Sequence, residues 1–236
     1  MVRNTVVPLA IVILGLNACG DPAPQPVLCP SSSSPRAVLV DATHDGGAWW
    51  FPEGGPFIST QPHQGEALAD TLRAKGYAVD ELARGDSISL ERLLAYQVVI
   101  RAGNYGAYAM SELHAYEAFV ACPRTLLLLG DLLGPTQHDD LADSVGVPLI
   151  GAITGSISAF VAHQITAGVT AVPFIAGSYV DPTRPASAQV LGRLDNGLAV
   201  MGLQPGHAAK VFFIGDTNGL ETVPQPLVNN LVSWGF

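Results

Sequence analysis

Apolar positions along this chain fall into short blocks set between Gly, Pro and Asp, and two periodicities alternate. Short apolar runs at Ala37–Asp41, Val98–Arg101 and Thr125–Gly130 predict strands, and Tyr77–Leu82, which carries Asp80 and Glu81, reads as a further one. The unbroken hydrophobicity of TLLLLG predicts the central strand, because a strand covered on both faces has no polar side. Between these runs apolar residues recur at helical spacing. Gln64–Lys75 carries Ala67, Leu68, Thr71 and Leu72 on one stripe and stops at Gly76. Ser89–Tyr96 has Ser89 as N-cap with Leu90, Leu93 and Leu94 inward, and Ser111–Ala121 places Leu113, Tyr116 and Val120 together before Pro123. His138–Val145 adds a short helix ahead of Gly146. Alternating βα units with short connections predict an α/β fold with a doubly wound, mostly parallel sheet of flavodoxin-like type.

Downstream the pattern weakens. Val147–Tyr179 is rich in Gly, Ala and Ile without clear periodicity, and only loops and short strands are expected there. Gln189–Leu194, Leu198–Leu203 and Lys210–Gly215 read as extra strands near the C-terminus, the first two joined through Asp195-Asn196-Gly197, a strong hairpin signal. Pro224–Trp234 reads as a closing helix with Leu227, Leu231 and Trp234 on one stripe.

The first residues carry a different signal. One arginine, Arg3, precedes an apolar run from Val6 to Leu16 that is too short to span a bilayer. The run ends in Leu16-Asn17-Ala18-Cys19, which resembles the bacterial lipobox. That resemblance implies a signal peptide over residues 1–18, diacylation of Cys19 with palmitate-type chains, and an extracytoplasmic protein held to the bacterial envelope, at the outer membrane where one exists. Residues 19–35 are rich in Pro and Ser and read as a tether, so that the folded domain is expected over 36–236. In an oxidising compartment Cys29 and Cys122 become a candidate disulfide, both preceding predicted strands; two unpaired thiols fit the sequence equally.

Composition narrows the function. The 236 residues hold 11 Lys+Arg against 20 Asp+Glu, a formal charge of −9, with Lys75 and Lys210 the only lysines. Such a chain has no basic footprint for a phosphate backbone, so nucleic acid is excluded as the main partner.

Several phrases together (AVLVDATHDGGAWW, VVIRAGNYGAY, TLLLLGD and KVFFIGDTNGLETVP) resemble the class I glutamine amidotransferase-like superfamily, in its non-amidotransferase envelope branch and, distantly, its trehalose-utilisation-like domains. The resemblance covers roughly Arg36 to Phe236. In active members a Cys stands on the turn after the central strand, and a His and a Glu follow a late strand. Here Asp131 holds the turn, and Asp216-Thr217-Asn218-Gly219-Leu220-Glu221 follows the late strand without a His. Cys122 and His207 precede their strands and belong to the opposite sheet edge. Thioester chemistry is therefore not expected, no catalytic residue is assigned, and no cofactor is implied.

Ligands of open α/β sheets bind at the carboxyl ends of the strands. The polar residues arriving there are Asp41, His44 and Asp45, with Thr43 and Trp49-Trp50 nearby, then Arg101, Asn104 and Tyr105, then Asp131, then Asp216, Asn218 and Glu221. His63 and His163 lie in adjoining segments. Three readings fit. These residues could line a pocket for a small polar ligand such as a carbohydrate, with Trp49, Trp50 and Tyr105 covering an apolar sugar face. They could serve a metal- or carboxylate-dependent hydrolase, although no metal-binding spacing stands in the sequence and no metal ligand is assigned. They could also simply cap helices and tie loops. A different class, an anchored domain docking an envelope protein, would use apolar surface at Ala159-Phe160-Val161 or Val172-Pro173-Phe174-Ile175.

Overall fold

The computed structural model describes residues 29–45, 65–184, 186–221 and 225–236. Nine strands form one sheet: β1 (Ser34–Asp41), β2 (Ala78–Leu82), β3 (Tyr96–Ala102), β4 (Thr125–Leu129), β5 (Leu149–Phe160), β6 (Val172–Val180), β7 (Gln189–Leu194), β8 (Ala199–Gln204) and β9 (Lys210–Ile214). The helices are α1 (Glu66–Ala74), α2 (Leu90–Leu94), α3 (Met110–Val120), α4 (Asp140–Ser144), α5 (Asn218–Glu221) and α6 (Gln225–Gly235). Cys19, Trp49, Trp50 and His63 lie outside the described residues, as do the expected signal peptide and the first part of the tether.

The strand order is β2-β1-β3-β4-β9-β8-β7-β5-β6. From β2 to β9 all neighbours are parallel, with the two-one-three-four-five order of a doubly wound sheet. From β9 to β6 all neighbours are antiparallel. The mostly parallel sheet expected from sequence is thus corrected to a mixed one, half wound and half meander.

Central-strand alternation explains the apolar runs. Leu127 and Leu129 of β4 enter a core with Leu68 and Leu72 of α1 and Leu227 and Leu231 of α6. Leu126 and Leu128 enter the opposite core with Leu93 of α2, Tyr116 and Phe119 of α3 and Leu141 of α4. Both faces are dry, so neither could be polar. Ser89 caps α2 by accepting from Arg92 N–H at 3.3 Å, as its position predicts. The Asp195-Asn196-Gly197 hairpin also forms: Gly197 takes φ 87° and its N–H donates to Leu194 O at 2.8 Å.

Two expectations fail. Tyr96 belongs to β3 rather than to the preceding helix. The weakly patterned stretch Val147–Tyr179 forms the two longest strands, β5 and β6, whose ladder shifts register between Ile150 and Gly155 and so never shows a clean alternation. Of the apolar surface expected to dock a partner, Val172 and Phe174 are fully buried, Phe160 and Pro173 are part-buried, and Ala159, Val161 and Ile175 are exposed.

The fold also begins earlier than residue 36. Cys29 and Cys122 are joined as a disulfide with Cα atoms 5.5 Å apart, which pins the chain before β1 to the turn before β4 at the amino edge of the sheet. Arg124 reinforces this, donating to Pro30 O and to Gln97 Oε1. The bridge closes a loop of sequence separation 93. Cys122→Ser is expected to cost about 2–4 kcal/mol of unfolding free energy. Urea denaturation with and without reductant checks this: reductant should lower the wild-type midpoint to that of the variant and leave the variant unmoved.

Candidate functional site

The carboxyl edge is built around loops that leave β1, β3, β4 and β9, and the structure sorts the expected residues into struts and lining. Asp41, fully buried at the end of β1, is a strut. Its Oδ1 accepts from Thr43 N–H at 3.0 Å and Thr43 Oγ1 at 2.6 Å, and its Oδ2 accepts from the Tyr116 hydroxyl at 2.7 Å. His44 stacks on Tyr108 at 4.0 Å between ring centroids and lies 3.4 Å from Glu112, whose carboxylate also accepts from Ala109 N–H to start α3. Asp45 is buried beneath Gly103.

Asp216 is a strut as well. It accepts from Asn218 N–H at 2.9 Å and Ile175 N–H at 2.5 Å, joining the start of α5 to β6. Here the β5–β6 hairpin crosses the end of β9 so closely that a Cβ on Gly215 would lie 1.9 Å from Ser178 O. Only glycine permits that approach. Glu221 closes α5. His163 is spent capping the 3-10 turn Gln164–Thr166, its Nδ1 accepting from Ile165 N–H at 3.2 Å.

What remains forms a pocket. A cavity of about 670 Å³ opens between Asn104 and Tyr105 after β3, the Leu132–Gln137 loop after β4, and Gly151 and Tyr179 of the crossing hairpin. The loop is staked at both ends by carboxylates. At one end Asp131 accepts from Leu132 N–H at 2.7 Å and from the Thr217 hydroxyl at 3.0 Å, and it also hydrogen-bonds the Tyr105 hydroxyl. At the other end Asp139 caps α4, accepting from Ala142 N–H at 3.0 Å, and pairs with Arg101 Nη2 at 2.6 Å. Burial opposes the charge of Arg101, but the Asp139 carboxylate, with Tyr108 and Tyr116 beside it, holds the guanidinium above its ordinary range.

Sequence reasoning treated Asn104 as one polar residue among ten, and its distinction shows only in the structure. It is 6% exposed, and neither its amide oxygen nor its amide nitrogen meets a partner. The Tyr108 hydroxyl and the Nε and Nη1 of Arg101 are also buried without partners. Leaving such groups unpaired costs about 1–3 kcal/mol each, so a fold does not keep them for stability. Tyr105, by contrast, is 56% exposed at the rim while its hydroxyl reaches inward to Asp131. Asp139, Gln137 and Tyr179 carry no signal in the sequence that marks them as lining or support; Tyr179 reaches the site because its ring packs on Gly151, where an added Cβ would meet it at 2.8 Å.

Asp131 stands on the turn after the central strand, and no Cys, Ser or Thr replaces it there. Thr217, fully buried after β9, donates to it and has no imidazole beside it in the sequence that follows the strand. Among the described residues no group of three or more His, Cys, Asp or Glu is placed to hold a metal ion, and no helix among them is long and apolar enough to cross a membrane.

No family model matches the chain, and no curated protein does. Solved structures do. The N-terminal domain of mmIFT52 aligns with a TM-score of 0.62 at 12% identity over 84% of this chain and 96% of that one. A ThuA-like protein from Bacteroides uniformis aligns at 0.57 and 12% identity over 86% and 92%. A protein described as a GMP synthase subunit from Thermoplasma acidophilum aligns at 0.50 and 11% identity over 84% and 94%. Identities this low speak to fold alone: the chain shares its fold with the mmIFT52 domain, the ThuA-like protein and the protein described as a GMP synthase subunit.

Burial pushes the Asp131 carboxyl above its usual value of 3.8, against the Leu132 N–H, the Thr217 hydroxyl, Arg101 and the Tyr105 hydroxyl, which all favour the anion. A carboxyl raised in the folded state stabilises the fold fully below the unfolded pKa and loses that contribution as pH rises through the folded pKa. Asp131→Asn is therefore expected to cost no more than about 1 kcal/mol at neutral pH. The stability difference between wild type and variant should fall as pH rises from 3.8 through the raised value, read by denaturant titration across that window. A difference that grows with pH would contradict the placement of burial as the dominant cause.

Proposed function

We propose that this chain is a lipid-anchored, extracytoplasmic domain of the amidotransferase-like superfamily, in its non-amidotransferase branch, that binds a small polar ligand in the pocket at the carboxyl edge. One observation carries the binding reading. Asn104 lines the cavity with both halves of its amide unspent, in a fold that ties Asp41, Asp131, Asp139 and Asp216 into hydrogen bonds. Replacing a polar group that no partner satisfies removes a cost, whereas a ligand-reading group is kept despite that cost.

The Asp131 turn argues against amide transfer from glutamine, because a thioester needs a thiol and a neighbouring base and neither stands there. The Cys29–Cys122 disulfide supports an address outside the cytosol, where thiols are kept reduced. Cys19, at the end of the apolar run, is the anchor in this reading: two acyl chains hold a protein at a membrane, while one gives only marginal attachment.

Asn104→Leu tests the pocket. The variant is expected to melt at or above the wild-type temperature, and in a thermal-shift screen of sugars, amino acids, nucleosides and small carboxylic acids at least one compound class should stabilise wild type but not the variant. A clearly lower melting temperature, with no compound distinguishing the two proteins, would assign Asn104 to structure and remove the reading. For the anchor, metabolic labelling with an alkyne fatty acid should mark wild type and not Cys19→Ala, and equal labelling of both would sink it.

A further inference from the structure

We propose that the amino edge of the sheet, on the side covered by α1 and α6, is a membrane-apposed face for anionic phospholipid headgroups, so that the pocket at the carboxyl edge opens away from the bilayer. The proposal rests on Cys19 being the anchor and adds the lipid class and the orientation.

The tether selects the edge. The disulfide, with the Arg124 contact to Pro30 O, fixes the chain at Cys29 and Pro30 to the turn before β4. Ten residue steps separate Cys29 from Cys19, and a fully extended chain of that length covers about 33–36 Å. The amino edge is therefore the edge tied near the lipid, whereas the pocket lies beyond the far end of β4. A tether of that length still lets the domain turn, and charge decides which surface it turns to the bilayer.

The free cations of this acidic chain gather there. Its only two lysines, Lys75 after α1 and Lys210 at the start of β9, are exposed at this edge, as are Arg36 near the start of β1 and Arg73 in the last turn of α1. All four share one side of the sheet. A Cβ on Gly76 would lie 3.7 Å from Arg36 Nη1, which puts Arg36 beside the end of α1. Lys210 donates to Trp234 O at 2.5 Å and stands 5.6 Å from the centre of that ring, beside the end of α6. Three strand spacings separate β1 from β9, about 14 Å. Arg73 pairs with Asp70 at 3.0 Å, but among the described residues Arg36, Lys75 and Lys210 make no ion pair. Asp80 and Glu117 belong to the other side of the sheet, Asp80 bonded to Tyr96 and Glu117 on α3.

The carboxyl edge collects the opposite sign: Asp41, Asp45, Asp131, Asp139 and Asp216, against Arg101. The domain is thus polarised along its strands, and an anionic surface attracts the amino edge and repels the pocket edge. Half-buried Trp234, and the Tyr77 ring packed edge-on against Phe236 at 5.2 Å, add the amphipathic rings that settle at headgroup level.

Two lysines make the test direct. The full chain, purified from bacterial membranes, is reconstituted into vesicles of phosphatidylcholine with or without phosphatidylglycerol. Acetylation of Lys75 and Lys210 by an uncharged active ester is then followed by mass spectrometry. Both lysines should react roughly threefold or more slowly on the anionic vesicles, while the amides of Leu132–Gln137 exchange hydrogen alike on both. Salt at about 0.5 M, where the Debye length falls to ~4 Å, should remove the difference. Arg36→Glu combined with Arg73→Glu should remove it too, leaving both lysines in place to report. Equal lysine rates on the two vesicles, or slower exchange of the pocket loop on the anionic ones, would overturn the proposal. Flotation separates it from the anchor reading. Protein that floats with both vesicles at equal lysine rates keeps the anchor and loses the face; protein that floats only with the anionic ones keeps the face and loses the anchor. Protein that floats with neither loses both.

Discussion

The pocket depends on the buried ion pair between Arg101 and Asp139. Arg101 comes from the end of a central strand, where an apolar residue would satisfy the surrounding core, and Asp139 comes from the cap of α4 on the far side of the loop that walls the cavity. An isolated charge at either position would cost several kcal/mol, so each residue commits the other. The pair therefore fixes where the Leu132–Gln137 loop ends, and Asp131 with Thr217 fixes where it begins. Between two such stakes the loop holds its shape with few apolar anchors, Leu133 being the one that reaches the core.

The crossing of β5–β6 over the end of β9 supplies the remaining wall. Glycine at position 215 lets two backbones pass nearly in contact, and Asp216 locks the crossing by accepting from Ile175 N–H. The carboxyl edge is consequently closed over β9 and open over β3 and β4. Asn104 lines that opening with its amide buried and unpartnered, where in a fold-only design a satisfied or apolar side chain would stand.

The wound half of the sheet was legible in the sequence, because a strand buried on both faces needs an unbroken apolar run and helices betray themselves by their stripe and caps. TLLLLG and the Ser89 cap are examples. The hairpin of β5 and β6 was not legible. Its alternation is broken by register shifts, and its small residues serve close backbone passage rather than a hydrophobic face. The site was legible as a sheet edge and as the residues of that edge, but their roles were not. Asp41, Asp216 and Asn104 look alike in a sequence; which of them is a strut depends on donors from Tyr116, Ile175 and Asn218, two of which lie far away along the chain.

The staking of the pocket loop is most directly measured by amide hydrogen exchange on Asp139→Asn. The amides of Leu132–Gln137 are expected to exchange roughly tenfold or more faster, while those of β1 and β9 keep their protection, because the loop opens locally when one stake weakens. Unchanged exchange in the loop, or an equal rise throughout the sheet, would contradict the account: the first would mean that the pair does not hold the wall, the second that it holds only the fold as a whole.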